Sequence, residues 1–230
     1  MKKEKHIEYY LSGEKMAEGF YSGSKGDWMQ TMQGKWIWWY ENGKKKSEGK
    51  CKNGKNVGKR TFWWDNGQKQ DEVTFKDGKE DGKWIMWNMS GDKWREGKYK
   101  NGNLVGKWTE WYSSGQIKKE GTVDGIKDFE PPERWDKYPS PGRFMWINDI
   151  NQVGKWTFWS PNGKESSELL YKDGVRWDGK WTEWWSNGQK KEEGTYKNGK
   201  RVDPRSKGSV DLHRWDENGN KYKTLHDIKF

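Results

Sequence analysis

The dipeptide Gly-Lys returns along this chain at a fixed step. Gly34, Gly58, Gly82 and Gly106 stand 24 residues apart, Gly154 follows after 48, and Gly179 after 25 more. Self-similarity of this length is the signature of repeat architectures, in which each short unit buries its neighbour. The copies are close in wording: "GKWTEWYSSGQIKKEG" at 106–121 comes back as "GKWTEWWSNGQKKEEG" at 179–194. The step of 48 is twice the period. Residues 130–153 keep Trp135, Ile147 and Val153 in register, so an eroded copy is read there. Partial copies at 8–21 and 212–222 open and close the array, giving nine units, six clear and three degenerate.

Each clear unit reads as two strands and two turns. The first strand carries aromatic and β-branched residues, as in Trp36-Ile37-Trp38-Trp39-Tyr40, and ends at Asn42-Gly43 or its equivalent. Asn-Gly accepts φ > 0 at both residues and is the strongest two-residue hairpin signal. The second strand runs to Cys51, Phe75, Tyr99, Val123, Tyr171 or Tyr196, and in most units a second Asn-Gly or Asp-Gly turn follows. No stretch sustains helical periodicity. A lone hairpin is marginal in water, so each one exists to be covered by the next. The expected fold is all-β: an elongated single-layer antiparallel sheet, or solenoid, of stacked β-hairpins of about 24 residues. The expected organisation is one repeat domain, 1–230: an opening cap at 4–33, four regular repeats at 34–129, the eroded repeat at 130–153, two regular repeats at 154–203 and a closing cap at 204–230.

Composition matters mainly as a paradox. With 30% hydrophobic and 35% charged residues the averages suit a disordered chain. Twenty Trp argue the opposite, because each can bury roughly 150–250 Å². The chain therefore folds around aromatic rings. Its net charge of +10 reads as lysine coating the wet surface of a thin sheet and guarding its edges, with an acidic partner, nucleic acid included, as the alternative. The single cysteine excludes an internal disulfide framework and a Cys-based zinc site. The N-terminal segment has no apolar core of a signal peptide, and no run of about 18 apolar residues occurs. A cytoplasmic protein without a membrane span is expected.

Counting from each repeat's Gly, the sixth position is Trp in every clear unit: Trp39, Trp63, Trp87, Trp111, Trp159 and Trp184. A residue kept in every unit is read as packing. The third position is Trp in all but one, the exception being Arg60. A two-residue turn pairs it with the sixteenth position, often Gly, so that the ring lies over bare backbone. Third and sixth positions have opposite strand parity, which sends rings to both faces unless a bulge intervenes. The fifth and seventh positions vary, as a recognition surface or an unconstrained one would. Trp38, Phe62, Trp64, Tyr112 and Trp185 carry rings there and are candidate partner contacts.

The eroded repeat holds Pro131, Pro132, Pro139 and Pro141. Proline cannot donate to a strand ladder, so this unit's first strand is expected to leave the sheet as a loop. Arg134, Trp135, Tyr138, Arg143, Phe144 and Trp146 lie there, a hot-spot composition, and are candidate partner-binding residues. The alternative is a decayed repeat whose Trp135 and Trp146 still pack on the sheet.

No catalytic, cofactor-binding or metal-ligating residue is assigned. His6, His213 and His226 stand near the ends in no ligand spacing, and Cys51 fills a place that is otherwise mostly Tyr or Phe. The glycines belong to turns, since no helix follows to complete a phosphate loop. Asn88-Met89-Ser90 fits a glycosylation sequon but reads as inert without a secretory signal.

The phrases at 106–122 and 179–200 resemble the variant MORN repeat of bacterial YwqK-type toxin–antitoxin antitoxins, over about 34–203, with the eroded unit as the chief departure. The resemblance implies an extended antiparallel sheet acting as a binding scaffold, with toxin neutralisation as its role. It supplies no catalytic residues. The expected function is a non-enzymatic scaffold, monomeric, that docks a protein partner through an aromatic and basic sheet face. Two alternatives stand beside it: single-stranded nucleic acid stacked on Trp with Lys along the phosphates, and choline-like cell-wall ligands held by cation–π contact.

Overall fold

The computed structural model describes residues 3–23, 29–126, 150–185, 187–202 and 213–221. Strands β1 (Glu4–Tyr9) and β2 (Lys15–Tyr21) form the opening hairpin. Three more follow: β3 (Met32–Trp39) with β4 (Lys45–Lys52), β5 (Lys55–Trp63) with β6 (Lys69–Lys76), and β7 (Lys79–Trp87) with β8 (Lys93–Lys100). Then come β9 (Asn103–Trp111), β10 (Ile117–Ile126), β11 (Ile150–Trp159), β12 (Glu165–Lys172), β13 (Val175–Trp184) and β14 (Lys190–Lys197). The short strands β15 (Lys200–Arg201) and β16 (His213–Arg214) close the series. Strand order follows chain order from β1 to β15, and β16 lies beside β14. The fold is all-β and antiparallel, as the repeat implied. Among the described residues no helix is long and apolar enough to cross a membrane.

Contacts divide the chain into two units. The first holds β1 to β8 and the start of β9; the second holds the rest of β9, β10 as far as Asp124, and β11 to β16. In the second unit Asn151 Nδ2 donates to Asp124 O at 2.9 Å and Trp156 Nε1 to Thr122 O at 3.0 Å. β10 and β11 are therefore neighbours in the sheet. The chain between them, residues 127–149, lies outside the described residues. Arg134, Trp135, Tyr138, Arg143, Phe144 and Trp146 all fall there.

The two turns of each hairpin differ, which corrects the single reading of Asn-Gly. The second turn is the expected two-residue loop: Lys52 pairs Lys55, with Asn53 at φ 49° and Gly54 at φ 74°. At the first turn only the glycine has positive φ, 76° at Gly43. Gly43 N donates to Tyr40 O at 2.9 Å and Tyr40 N to Lys44 O at 2.8 Å, which makes a three-residue loop. The cause is the Asn42 side chain. Its Oδ1 accepts Lys44 N at 3.0 Å and its Nδ2 reaches Asp65 O of the next hairpin at 3.0 Å.

A three-residue loop should have shifted the register by one. It does not, because a β-bulge follows: Trp38 pairs Ser47 while Trp39 pairs Lys45. The same shift falls between Phe62 and Trp63, Met86 and Trp87, Phe158 and Trp159, and Glu183 and Trp184. The extra residue restores the expected pairing of third with sixteenth position, Trp36 opposite Gly49 and Trp84 opposite Gly97.

One face of the sheet is dry. Trp36, Trp84, Trp108 and Trp156, all at the third position, are 0% exposed. With them are buried Trp38, Phe62 and Met86 at the fifth position and Cys51, Phe75, Tyr99 and Val123 at the eighteenth. The sixth-position tryptophans point the other way and are half-buried. The opposite parity of third and sixth positions therefore does send rings to both faces, and the sixth-position rings lie on the face opposite the fully buried ones.

The glycine covered by Trp36 and by Trp156 also differs from expectation. A Cβ on Gly19 would lie 2.6 Å or less from three Trp36 ring atoms, and one on Gly121 would lie 2.5 Å or less from three of Trp156. The ring thus covers the sixteenth position of the preceding strand pair instead of its own partner. Gly49, the partner of Trp36, is already covered by Arg60 from the next hairpin. The expected cross-strand contact does occur at Trp181, where a Gly194 Cβ would meet the ring at 3.0 Å. Where Val73 replaces the glycine, Trp84 instead donates Nε1–H to Asp71 Oδ1 at 3.0 Å.

Candidate functional site

The face opposite the dry one is built from three recurring side chains. Four of the sixth-position rings, Trp39, Trp63, Trp87 and the closing Trp215, are roofed by a lysine at the twelfth position of the hairpin before them; before Trp159 and Trp184 that position is Ile117 and Glu165. Lys15 lies 5.2 Å from the Trp39 ring centre, Lys45 5.0 Å from Trp63, Lys69 5.4 Å from Trp87 and Lys190 5.3 Å from Trp215. The same lysine pairs with a glutamate three residues on: Lys15–Glu18 at 2.7 Å, Lys45–Glu48 at 2.6 Å, Lys190–Glu193 at 2.7 Å, and Lys93–Glu96. A second lysine, from the second position, closes on that carboxylate across the strands: Lys5–Glu18 at 2.8 Å, Lys35–Glu48 at 2.6 Å and Lys59–Glu72 at 2.6 Å. Hydrogen bonds from Lys35 and Lys45 hold the Glu48 carboxyl below the usual range, and those from Lys15 and Lys5 do the same for Glu18.

Two lysines per glutamate leave this face positive in the hairpins of Glu18, Glu48, Glu72 and Glu96, whereas Glu120 and Glu168 pair with one lysine each, Lys107 and Lys155. Such exposed pairs contribute about 0–1 kcal/mol each, so their main effect is to orient the lysine stems over the rings. This lattice was legible in principle. Lys recurs at the second and twelfth positions and Glu at the fifteenth through most units, a pattern that a merely solvated coat of lysine would also show.

The seventh-position rings tie one hairpin to the next. Tyr10 Oη donates to Trp39 O at 2.8 Å, and Tyr40 Oη to Trp63 O at 2.8 Å. Trp64 Nε1 donates to Trp87 O at 3.2 Å, Tyr112 Oη to Trp159 O at 2.9 Å, and Trp185 Nε1 to Trp215 O at 3.1 Å. Burial, with Asp65 and Tyr10 nearby, pushes the Tyr40 phenol up to about 12. Trp64, Tyr112 and Trp185, proposed from sequence as partner contacts, are thus half-buried rings with a structural bond at the polar tip. Lys118 sits 5.9 Å from the Tyr112 ring centre and Lys191 5.1 Å from that of Trp185. Where the seventh residue is Asn88, Oδ1 instead accepts Ser90 N at 3.0 Å and Asp92 N at 2.9 Å, so the sequon amide is engaged in its own turn.

Trp38 and Phe62 are a correction. They are 5% and 3% exposed on the dry face, so their variation reflects packing and not a presented surface. Volume can vary there because neighbouring side chains change with it: Ser47 faces Trp38, Ser47 also faces Phe62 across the other strand, and Asp71 lies beyond.

Five Asp, Glu or Arg side chains are buried among the described residues, Arg60, Asp71, Glu80, Arg95 and Glu110, with Asp71 and Arg60 the deepest. Arg60 Nη1 donates to Ser47 Oγ at 3.3 Å, and Nη2 approaches Cys51 Sγ at 3.7 Å. Burial lowers the Arg60 pKa, and burial also raises that of Cys51, the guanidinium opposing the latter shift. The Asp71 carboxyl is pushed well above its ordinary range by burial, against the Trp84 N–H bond. Among the described residues no three His, Cys, Asp or Glu side chains converge as metal ligands would.

With this geometry in view, the comparisons are specific. Residues 32–53, 56–77, 104–124, 152–173 and 177–198 match the MORN repeat variant. Each matched segment spans one hairpin: β3–β4, β5–β6, β9–β10, β11–β12 and β13–β14, to within two residues at either end. The β7–β8 hairpin lies outside the matches, yet it keeps the MORN register, with Gly82 opposite Tyr99 and Trp84 opposite Gly97. No curated protein matches the chain. MORN repeats are non-catalytic scaffold units that generally bind proteins or membranes.

Proposed function

We propose that the chain is a non-enzymatic scaffold that docks a partner protein on its lysine-and-tryptophan face, with toxin neutralisation in a cytoplasmic setting as its role. One observation carries the reading. The dry face is closed by its own rings, while the other face repeats a half-buried tryptophan flanked by cations in hairpin after hairpin. Tryptophan concentrates binding energy at interfaces, and a positive surround speeds the encounter with a negative partner. The resemblance of the repeat phrases to antitoxin repeats supports the finer role. Arg134, Trp135, Tyr138, Arg143, Phe144 and Trp146 remain proposed partner contacts on composition alone.

The choline reading is weakened by the lysines at Trp39, Trp63, Trp87 and Trp215, because a quaternary ammonium needs a ring face that another cation does not occupy. Stacked bases need the same faces. The test is co-expression with the product of the adjacent gene, followed by growth and affinity capture. Restored growth together with a stoichiometric complex is expected. A chain that binds no adjacent product and restores no growth is not an antitoxin scaffold.

A further inference from the structure

The lysines of the wet face are not all spent on glutamates. Second and seventeenth positions are cross-strand partners, and the seventeenth varies. Lys5 faces Phe20, Lys59 faces Thr74, Lys155 faces Leu170 and Lys180 faces Thr195. In two hairpins of the first unit the seventeenth residue is itself lysine, so Lys35 stands opposite Lys50 and Lys83 opposite Lys98. Like charges directly opposite on a sheet are destabilising. Lys35 is held by Glu48 at 2.6 Å and Lys83 by Glu96 at 2.9 Å. Lys50 and Lys98 are exposed and have no carboxylate partner among the described residues.

Around Lys50 the face is dished. A depression of about 460 Å³ is lined by Lys35, Lys50, Lys59, Glu48, Thr61 and Trp63. Its one carboxylate is already shared between Lys35 and Lys45, at 2.6 Å from each. Of the three ammonium groups that line the hollow, Lys35 is held by Glu48 and Lys59 by Glu72, and Lys50 is left for an anion from outside.

We infer that this depression receives a cluster of acidic side chains from an extended partner polypeptide, and that the Lys83–Lys98 pair takes a second cluster of the same segment. The inference rests on the scaffold reading and names its partner's chemistry. The two lysine pairs are two hairpins apart. Four strands at about 4.8 Å put them about 19 Å apart, a span an extended chain covers in about six residues. Discrete cation pairs at that spacing fit clustered carboxylates better than the evenly spaced phosphates of a nucleic acid. The Trp63 ring, with Lys45 over it, is closed to base stacking.

The experiment titrates the full chain with a dye-labelled peptide carrying two tri-glutamate clusters six residues apart, at about 50 mM salt. Lys50→Thr with Lys98→Thr installs the residue found at this position in other units, Thr74 and Thr195, and relieves repulsion, so the fold is kept. Lys164→Thr with Lys197→Thr removes the same charge elsewhere. The expected result is peptide binding that weakens about tenfold in the first variant, and under twofold in the second. Equal weakening in both variants, or none in the first, overturns the lysine-pair site while leaving the scaffold reading intact. No peptide binding by the unmodified chain also overturns it. Tighter binding of a 16-mer oligothymidylate than of the peptide, lost in the first variant, overturns the polypeptide assignment and the scaffold reading together.

Discussion

Gly121→Ala adds one methyl group and should cost far more than a strand Gly→Ala change normally does. Gly121 lacks positive φ, so alanine meets no backbone strain and by conformational entropy alone gains about 0.4–1 kcal/mol. The obstacle is Trp156. The new Cβ would lie 2.5 Å from ring Cγ and nearer still to Cδ2 and Cε2, against about 3.5–4.0 Å for ordinary carbon contact. The ring must retreat by more than 1 Å from a site where it is fully buried and donates to Thr122 O at 3.0 Å. Overpacking costs about 1–3 kcal/mol, and the lost bond adds about 1. Subtracting the entropy gain leaves about 1–3.5 kcal/mol. Gly194→Ala, with its nearest contact at 3.0 Å, should cost less than about 1 kcal/mol. Urea unfolding followed by circular dichroism reads both as midpoint shifts. In a Trp156→Leu background the Gly121→Ala penalty should largely vanish, because the double-mutant cycle removes the clash. A Gly121→Ala cost below about 0.5 kcal/mol, or one unchanged by Trp156→Leu, would refute close ring-on-backbone packing as the basis of the junction.

Truncating the dry-face ring Trp84→Ala should destabilise by about 3–5 kcal/mol and the wet-face ring Trp63→Ala by only about 1–2; equal losses in urea unfolding would undo the assignment of faces. Asp71 titrates higher folded than unfolded (about 3.9 unfolded), so its neutral form is favoured in the fold. Its contribution is full below pH 4 and is lost as pH rises towards the folded value. Asp71→Asn keeps an acceptor for Trp84 and removes that dependence, so the variant should gain on the parent as pH rises from 4 to 8 in thermal melts; a flat difference contradicts the shift. Tyr40→Phe deletes the donor to Trp63 O and should cost about 1 kcal/mol, whereas Tyr9→Phe, at an exposed ring, should change the melting midpoint by under 1 °C; matching losses would show that the inter-hairpin bond contributes nothing.

Several features of this molecule could be read before any coordinates. The 24-residue step of Gly34, Gly58, Gly82 and Gly106 requires a repeated unit, and two turn signals inside it require a hairpin. Even the pairing of Trp36 with Gly49 followed from counting, although two deviations, a longer loop and a bulge, cancel to produce it. The candidate face was half legible. The sequence carries Trp63 and its equivalents as an invariant position and Lys45 and Glu48 as recurrent ones, but not the reach of the lysine to the ring of the next hairpin. Rings on alternate strand positions look alike in a sequence, and one bulge residue such as Lys46 inverts the parity count beyond it. Only the stacked hairpins decide which ring is dry. Trp36 is sealed because Gly19, in the strand pair before it, offers bare backbone to lie on, and Trp84 turns to Asp71 because Val73 does not. Cover of that kind belongs to the junction between units, which a repeat's own wording does not describe.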